Sequence, residues 1–318
     1  MRPSPVSYGS WMRKLSRRHH LAAKAYLRGF ADADNKLVRH GTSNLVPIQH
    51  AAVEDDVYLM RLRDASLTDI VERLLGDIEN AALPTLCEMP HRWPLERAQR
   101  TVVAGYIAVQ ISRTLDSLGR HARLIDQVLA QATEAAPTPQ GVLGNDALRM
   151  HAMLGIARAL RPIVTAMTWT LVCFSKPCLS TSDNPVGIVP IDVTRVSESL
   201  GIGVEDFAEL WLPLRADQLL VLCWLDRPDH RRPRNGQRRI AESVNAAMRD
   251  QANKGWYWRP GSSPPIPSSG RIEPVAQMLF PGYGPTALRA SKHRRLGLEQ
   301  ATRAVNGDER VFHPVAEH

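Results

Sequence analysis

Residues 169–174 read Trp169-Thr170-Leu171-Val172-Cys173-Phe174, a run of β-branched, aromatic and aliphatic residues with the composition of a strand. Residues 186–191 and 219–225 have the same character. Before Ala166 the apolar residues recur instead at helical spacing. Because the helices precede the strands, a regularly alternating α/β fold is disfavoured. The order predicts a predominantly helical single α+β domain, with a small sheet built mainly from the 169–225 region.

Two further elements are predicted on the N-terminal side of this region. Residues 36–40 and 44–49 form a short N-terminal hairpin around Gly41-Thr42-Ser43. One long helix is expected from about Pro94 to about Thr133, with an apolar stripe that places it across the centre of the molecule.

The domain organisation follows from composition along the chain. Residues 1–258 are predicted to form one α+β domain, whose recognisable pieces lie within 18–258. Residues 259–274 are rich in Pro, Ser and Gly, and charged residues dominate from Arg289 onward. Residues 259–318 are therefore predicted to be a loop followed by a charged tail.

Composition limits the function without naming it. The chain has 318 residues, 44% hydrophobic and 23% charged, which is ordinary for a globular protein and excludes wholesale disorder. Lys and Arg number 40 against 32 for Asp and Glu, so the net charge is +8. This excess permits an anionic partner but does not require one.

The cysteines and the apolar segments indicate a cytoplasmic protein. The four cysteines do not have the spacing of a zinc site, and a reducing compartment accounts for them as small buried residues. No segment reaches the ~18–20 apolar residues that cross a bilayer. We expect no membrane partner, and the spacing of His and acidic residues predicts no metal site.

Six short pieces stand out along the chain. They are His20-Leu21-Ala22-Ala23-Lys24-Ala25-Tyr26-Leu27-Arg28-Gly29-Phe30-Ala31, Ala51-Ala52-Val53-Glu54-Asp55-Asp56-Val57-Tyr58, Gln110-Ile111-Ser112-Arg113-Thr114, Thr181-Ser182-Asp183-Asn184-Pro185, Pro213-Leu214 with 219–222, and Val244-Asn245. In this order they resemble the bacterial domain-of-unknown-function family 4238 over about residues 18–258. Ala23 replaces the usual proline of the first piece. The resemblance implies relatives but no settled activity.

His20 and Asp183 are the candidate catalytic residues. A histidine can serve as an acid, a base or a ligand. Asp183 follows a predicted strand, where a rigid sheet holds a side chain beside an accessible loop. Structural alternatives stay open for both residues. His20 could bond a backbone carbonyl at a helix start, and Asp183 could form an Asx turn before Pro185.

Gln110, Arg113, Ser182 and Asn245 are the candidate substrate-binding residues. A guanidinium can grip a carboxylate or phosphate with two parallel hydrogen bonds. An internal ion pair, such as Arg113 with Asp183, is the alternative for that residue.

The six polar candidates together predict one pocket. Each lies inside a piece of the resemblance, so we expect at least four of them to line a single cavity. Arg113 is expected within ion-pair reach of Asp183. The pKa of Asp183 is then expected to be depressed and that of His20 to lie near neutrality.

Residues 227–239 contain six arginines and one aspartate. A flexible segment of this kind could bind RNA or DNA phosphates, which assigns a nucleic-acid contact to its arginines. The arginines assigned to this contact are Arg231, Arg232, Arg234, Arg238 and Arg239. A solvated basic loop is the alternative, since no aromatic residue is interleaved for base stacking.

Two function classes remain from the sequence. The first is an enzyme with hydrolase- or nuclease-like activity on an anionic small molecule, phosphoester or nucleic acid. The second is a non-catalytic nucleic-acid- or protein-binding module that uses residues 227–239. Dinucleotide, P-loop, lipase and zincin motifs do not occur in the sequence, so no cofactor can be named.

Overall fold

The computed structural model contains both helices and sheets, which confirms a mixed α+β fold. It describes residues 15–61, 66–135, 145–191, 207–227, 229, 231–284 and 289–307. The end of the predicted tail, 308–318, lies outside these ranges. The single-domain organisation stays a prediction.

The helices of the described residues are numbered in chain order. They are α1 Lys24–Leu27, α2 Ile70–Cys87, α3 Arg97–Ser112, α4 Leu115–Ala135, α5 Asn145–Ala166, α6 Arg238–Asp250, α7 Val275–Leu279 and α8 Lys292–Val305.

The strands of the described residues are numbered in the same way. They are β1 Arg18–His20, β2 Lys36–Arg39, β3 Val46–Pro47, β4 Val53–Asp55, β5 Met60–Arg61, β6 Leu67–Thr68, β7 Thr168–Cys173, β8 Ser180–Ser182, β9 Gly187–Pro190, β10 Phe207–Arg215, β11 Gln218–Cys223, β12 Arg234–Asn235 and β13 Trp256–Trp258.

The larger sheet has the strand order β12-β7-β11-β10-β9, and all of these strands except β12 come from the 169–225 region, as predicted. Its pairings are antiparallel except for β12 with β7. Trp169 on β7 pairs with Leu222 on β11, and Trp211 on β10 pairs with Val221. Both tryptophans are fully buried, so the sheet lies inside the hydrophobic core.

A second sheet of order β3-β2-β13-β8 joins distant parts of the chain. The β2–β3 pair is antiparallel and forms the predicted N-terminal hairpin. Strand β13 then lies between β2 and β8. The first piece of the resemblance begins with a strand rather than the predicted helix, because β1 pairs with β4. This pairing places His20 opposite Val53 in an antiparallel ribbon.

The single long helix predicted from about Pro94 to Thr133 is wrong, because the chain forms α3 and α4 with a break between them. Arg113 is the C-cap of α3. The Thr114 hydroxyl accepts the N–H of Ser117 at 3.2 Å, as an N-cap residue does. This local bond caps the start of α4 without a Gly or Pro at the break. The break brings Arg113 to the end of a largely buried helix.

Two C-terminal helices pack against the body, in the part of the chain for which the sequence predicted only a loop and a charged tail. Helix α8 packs on α5, and a Cβ added at Gly297 would lie 3.1 Å from Ala166 and 3.2 Å from Trp224. Helix α7 contacts α6 and β11. The boundary at 258 therefore does not mark the end of the packed structure.

Candidate functional site

An ion pair is buried where α2 and α3 pack together. Nη1 of Arg113 lies 2.6 Å from Oε1 of Glu79, and the two side chains are 2% and 17% exposed. Burial lowers the pKa of Arg113, but the charge and hydrogen bond of Glu79 outweigh it and hold this pKa above its usual value. Arg113 is therefore a permanent buried cation.

Several polar atoms near this pair have no hydrogen-bond partner among the described residues. They are Nε and Nη2 of Arg113, both amide atoms of Gln110 and the hydroxyl of Tyr106. Gln110 and Arg113 are three residues apart on α3, so they lie on the same face. Each unpaired buried group costs about 1–3 kcal/mol, which a bound polar group or water would recover.

A polar cavity of about 490 Å³ opens on the surface beside β1 and α2. Its lining residues are mostly basic or polar: Ser16, Arg18, His20, Lys24, Gln49, His50 and Glu72. Nη2 of Arg18 lies 3.1 Å from Nδ1 of His50. The positive charges of Arg18 and Lys24 make this cavity attractive to an anion.

Two titratable groups in the cavity wall have pKa values that are shifted in opposite directions. Burial raises the pKa of Glu72 to about 7, although the Arg113 charge opposes the rise. Burial, assisted by the charges of Lys24 and Arg113, lowers the pKa of His20 to about 4. Near pH 7 His20 is neutral, while Glu72 can both gain and lose a proton.

The cavity and the buried ion pair are electrostatically connected. The charge of Arg113 acts on both His20 and Glu72. Nε2 of His20 is itself buried without a hydrogen-bond partner. The charge of the buried pair therefore influences protonation at two positions of the cavity wall.

Asp183 lies at the end of β8 and binds backbone. Its Oδ1 accepts the N–H groups of Asn253 at 3.1 Å, Lys254 at 3.0 Å and Gly255 at 3.0 Å. Asp183 is 3% exposed, and burial raises its pKa against the lowering effect of these bonds. The observed contacts hold the turn before β13, and a catalytic role for this residue stays a prediction.

Ser182 and Asn245 also make local structural contacts. The Ser182 hydroxyl donates to the carbonyl of Asn184 at 2.7 Å. Oδ1 of Asn245 accepts the N–H and the hydroxyl of Ser180, both at 2.8 Å. Its amide nitrogen donates to the carbonyls of Cys178 at 2.9 Å and Pro265 at 3.0 Å. Asn245 therefore has all its hydrogen-bonding capacity in use.

The six predicted site residues do not share the contacts that we expected. Arg113 pairs with Glu79 and not with Asp183. The pKa of Asp183 is raised by burial, where a depressed value was predicted, and that of His20 is well below neutrality. Of the six, His20 alone lines the polar cavity.

Sequence reasoning missed Glu72 and Glu79. Both lie on α2, seven residues apart, which places them on one helix face two turns apart. Between them lies the buried Leu75, so carboxylates border the apolar stripe. Acidic residues at helical spacing beside such a stripe were the available signal.

The arginines of 227–239 are largely used within the structure. Arg234 lies on β12 and donates to the carbonyl of Leu279 at 2.7 Å. Arg238 and Arg239 pair with Glu242 and Glu273 respectively, each at 2.8 Å. Arg231 and Arg232 are exposed. The segment is thus partly ordered by strand and helix, unlike the flexible loop expected from its sequence.

Two further findings concern ligands and membranes. Within the described ranges, no group of three His, Cys, Asp or Glu side chains is placed to hold a metal ion. No helix in the described part of the chain combines the length and apolarity needed to cross a bilayer.

Residues 18–261 match the family described as protein of unknown function DUF4238. This match covers most of the chain and includes the ribbon that carries His20, the buried pair of Arg113 and the Asp183 turn. The chain belongs to this family. No curated protein and no solved structure matches the chain.

Proposed function

We propose that the protein is an enzyme that catalyses proton transfer on an anionic substrate bound in the cavity of His20 and Glu72. The observation that carries this proposal is the presence of both groups in one cavity wall beside two cations, Arg18 and Lys24. Pairs of titratable groups with pKa values pushed apart are typical of acid–base sites.

Binding is assigned to the cations of the cavity. Arg18 and Lys24 are exposed and stand at its wall, where they attract a carboxylate or phosphate. Gln110 and Arg113 stay the proposed anchors for a part of the substrate that reaches deeper, because their unpaired donors need partners.

Proton transfer is assigned to Glu72 and His20. His20 is neutral near pH 7, so its unpaired Nε2 can accept a proton from an attacking water. Glu72, whose pKa is about 7, can give a proton to the leaving group and later recover it. This assignment suits hydrolysis of an ester or phosphoester.

The carboxyl group in this proposal is Glu72 and not Asp183. Oδ1 of Asp183 is already held by three backbone N–H groups. Glu72 instead lines the open cavity.

The test is a hydrolysis screen with anionic chromogenic esters, phosphomonoesters, phosphodiesters and carboxylate esters among them. His20→Gln and Glu72→Gln should each lower the rate by a factor of about 10²–10⁴ without lowering the melting temperature. Asp77→Asn, also on α2 but exposed, and His151→Gln, exposed on α5, are the matched controls. Turnover that survives both cavity substitutions would contradict the proposal.

A further inference from the structure

Two basic segments that are far apart in sequence meet at a second cavity of about 390 Å³. Arg227 and Arg231 line it from one segment, and His293 lines it from the first turn of α8. That turn has the sequence Lys292-His293-Arg294-Arg295. The cavity lies between the start of α3 and the junction of α5 with β7, away from the residues that line the His20 cavity.

The acid in the cavity wall, Asp229, is already neutralised. It forms an ion pair with Arg100, and its other oxygen accepts the N–H of Trp169 at 2.8 Å. Arg100 also donates to the carbonyls of Thr165 and Met167. This pair holds Asp229 in the cavity wall, with both carboxylate oxygens already bound.

Asp226 fixes the position of the second basic segment. Its carboxylate accepts the N–H of Lys292 at 2.9 Å and that of His293 at 3.0 Å, together with the hydroxyl of Ser291. This carboxylate therefore caps α8 and anchors its first turn beside the arginine segment. Lys292 and Arg295 of that turn are exposed.

Nδ1 of His293 is buried without a hydrogen-bond partner among the described residues. The His293 side chain lines the cavity, so its Nδ1 is available to a ligand there. Imidazole nitrogen, guanidinium and ammonium groups together are the donors that bind phosphate oxygens.

We propose that this cavity and its rim bind the phosphodiester backbone of a nucleic acid. The proposal is independent of the His20 cavity and keeps Arg231 and Arg232 of the arginines predicted from the sequence. These two residues act with the first turn of α8. Arg234 instead donates to the carbonyl of Leu279, and Arg238 and Arg239 are exposed but paired with Glu242 and Glu273.

A polymer fits these observations better than a free phosphate. The exposed charges of Arg232, Lys292 and Arg295 extend past the cavity wall, so several successive phosphates can be contacted. No Phe, Tyr or Trp is among the described residues that line the cavity, so these residues offer no platform for base stacking. Binding is therefore expected to be independent of base sequence and strongly dependent on salt.

The experiment measures fluorescence anisotropy of a labelled single strand of about 20 nucleotides with the full chain. With about three phosphates contacted, the dissociation constant should rise about 20-fold between about 50 and 200 mM salt. Oligothymidylate and oligoadenylate should bind within about threefold of each other.

Matched double variants locate the contact. Arg231→Ala/Arg232→Ala and Lys292→Ala/Arg295→Ala should each weaken binding about tenfold and flatten the salt dependence. Arg238→Ala/Arg239→Ala removes the same two charges from the same basic run and should change binding less than about twofold. Melting curves confirm that each variant is folded.

Several outcomes would overturn the proposal. An equal loss in all three double variants would show attraction by net charge alone. If the Lys292→Ala/Arg295→Ala variant binds the oligonucleotide as tightly as the wild type, α8 is not part of the binding surface. If polyglutamate binds as tightly as the oligonucleotide, the cavity fits an acidic protein instead. If pyrophosphate binds but the oligonucleotide does not, the cavity fits a small phosphate compound.

Discussion

Arg113 and Glu79 form a buried ion pair that connects the end of α3 to α2, with 2.6 Å between Nη1 and Oε1. Glu79 occupies only one nitrogen of the guanidinium. Nε and Nη2 remain unpaired among the described residues, so the pair stabilises the helix packing and leaves two buried donors available.

Glu79→Gln should destabilise the protein by about 3–5 kcal/mol, because it leaves a buried cation without its counter-ion. The free energy of unfolding in urea measures this loss. The control is Glu88→Gln, which breaks an exposed pair with Arg92 on the same part of the chain and should cost no more than about 1 kcal/mol. Equal effects would show that the buried pair is not a stabilising contact.

The stability of the protein should depend on pH through Glu72. Its folded pKa of about 7 is above the usual value of 4.5, so the folded state holds this proton more tightly. Stability from this group is full below about pH 4.5 and decreases as the pH rises to about 7. Glu72→Gln should remove this decrease in melting temperature. The same slope in wild type and variant would contradict the assignment.

His20 should produce the opposite dependence. Its folded pKa of about 4 is below the usual 6.5, so the unfolded state binds the proton more readily between these values. Stability from this group is full above about pH 6.5 and is lost as the pH falls to about 4. Melting temperatures of His20→Gln against wild type over this range measure the effect, and NMR titration of the ring checks the pKa directly.

Asp183→Ala should destabilise by several kcal/mol, since three backbone N–H groups lose their common acceptor. Asp183→Asn keeps an oxygen at that position and should cost much less. Chemical denaturation distinguishes the two variants. If both variants are as stable as the wild type but inactive, the carboxylate takes part in the chemistry and the turn does not depend on it.

Gly29→Ala tests the close approach to β10 of the 3-10 turn Arg28–Phe30, which follows α1. A Cβ at position 29 would lie 2.7 Å from the carbonyl oxygen of Leu214, so we expect a loss of about 1–3 kcal/mol. Gly155→Ala is the control, because it meets nothing within 4 Å and lies inside α5. That substitution should stabilise the protein by about 0.5–1 kcal/mol. Equal effects would show that the contact at position 29 is not tight.

Strands, turns and motifs that depend on the local sequence could be predicted before the structure was known. Strand composition placed β7 and β11, turn residues placed the hairpin of β2 and β3, and the ordered short motifs identified the family. Periodicity could not reveal the break at Arg113, because a threonine cap gives a much weaker signal than Gly or Pro.

Which polar side chains contact one another depends on the packing of elements that are distant in sequence. Packing of α2 on α3 made Glu79, and not Asp183, the partner of Arg113. Pairing of β1 with β4 placed His20 in the wall that Glu72 completes. These contacts join residues 34 positions apart (Glu79 and Arg113) and 52 positions apart (His20 and Glu72). The pKa of a side chain depends on these final surroundings and not on its neighbours along the chain.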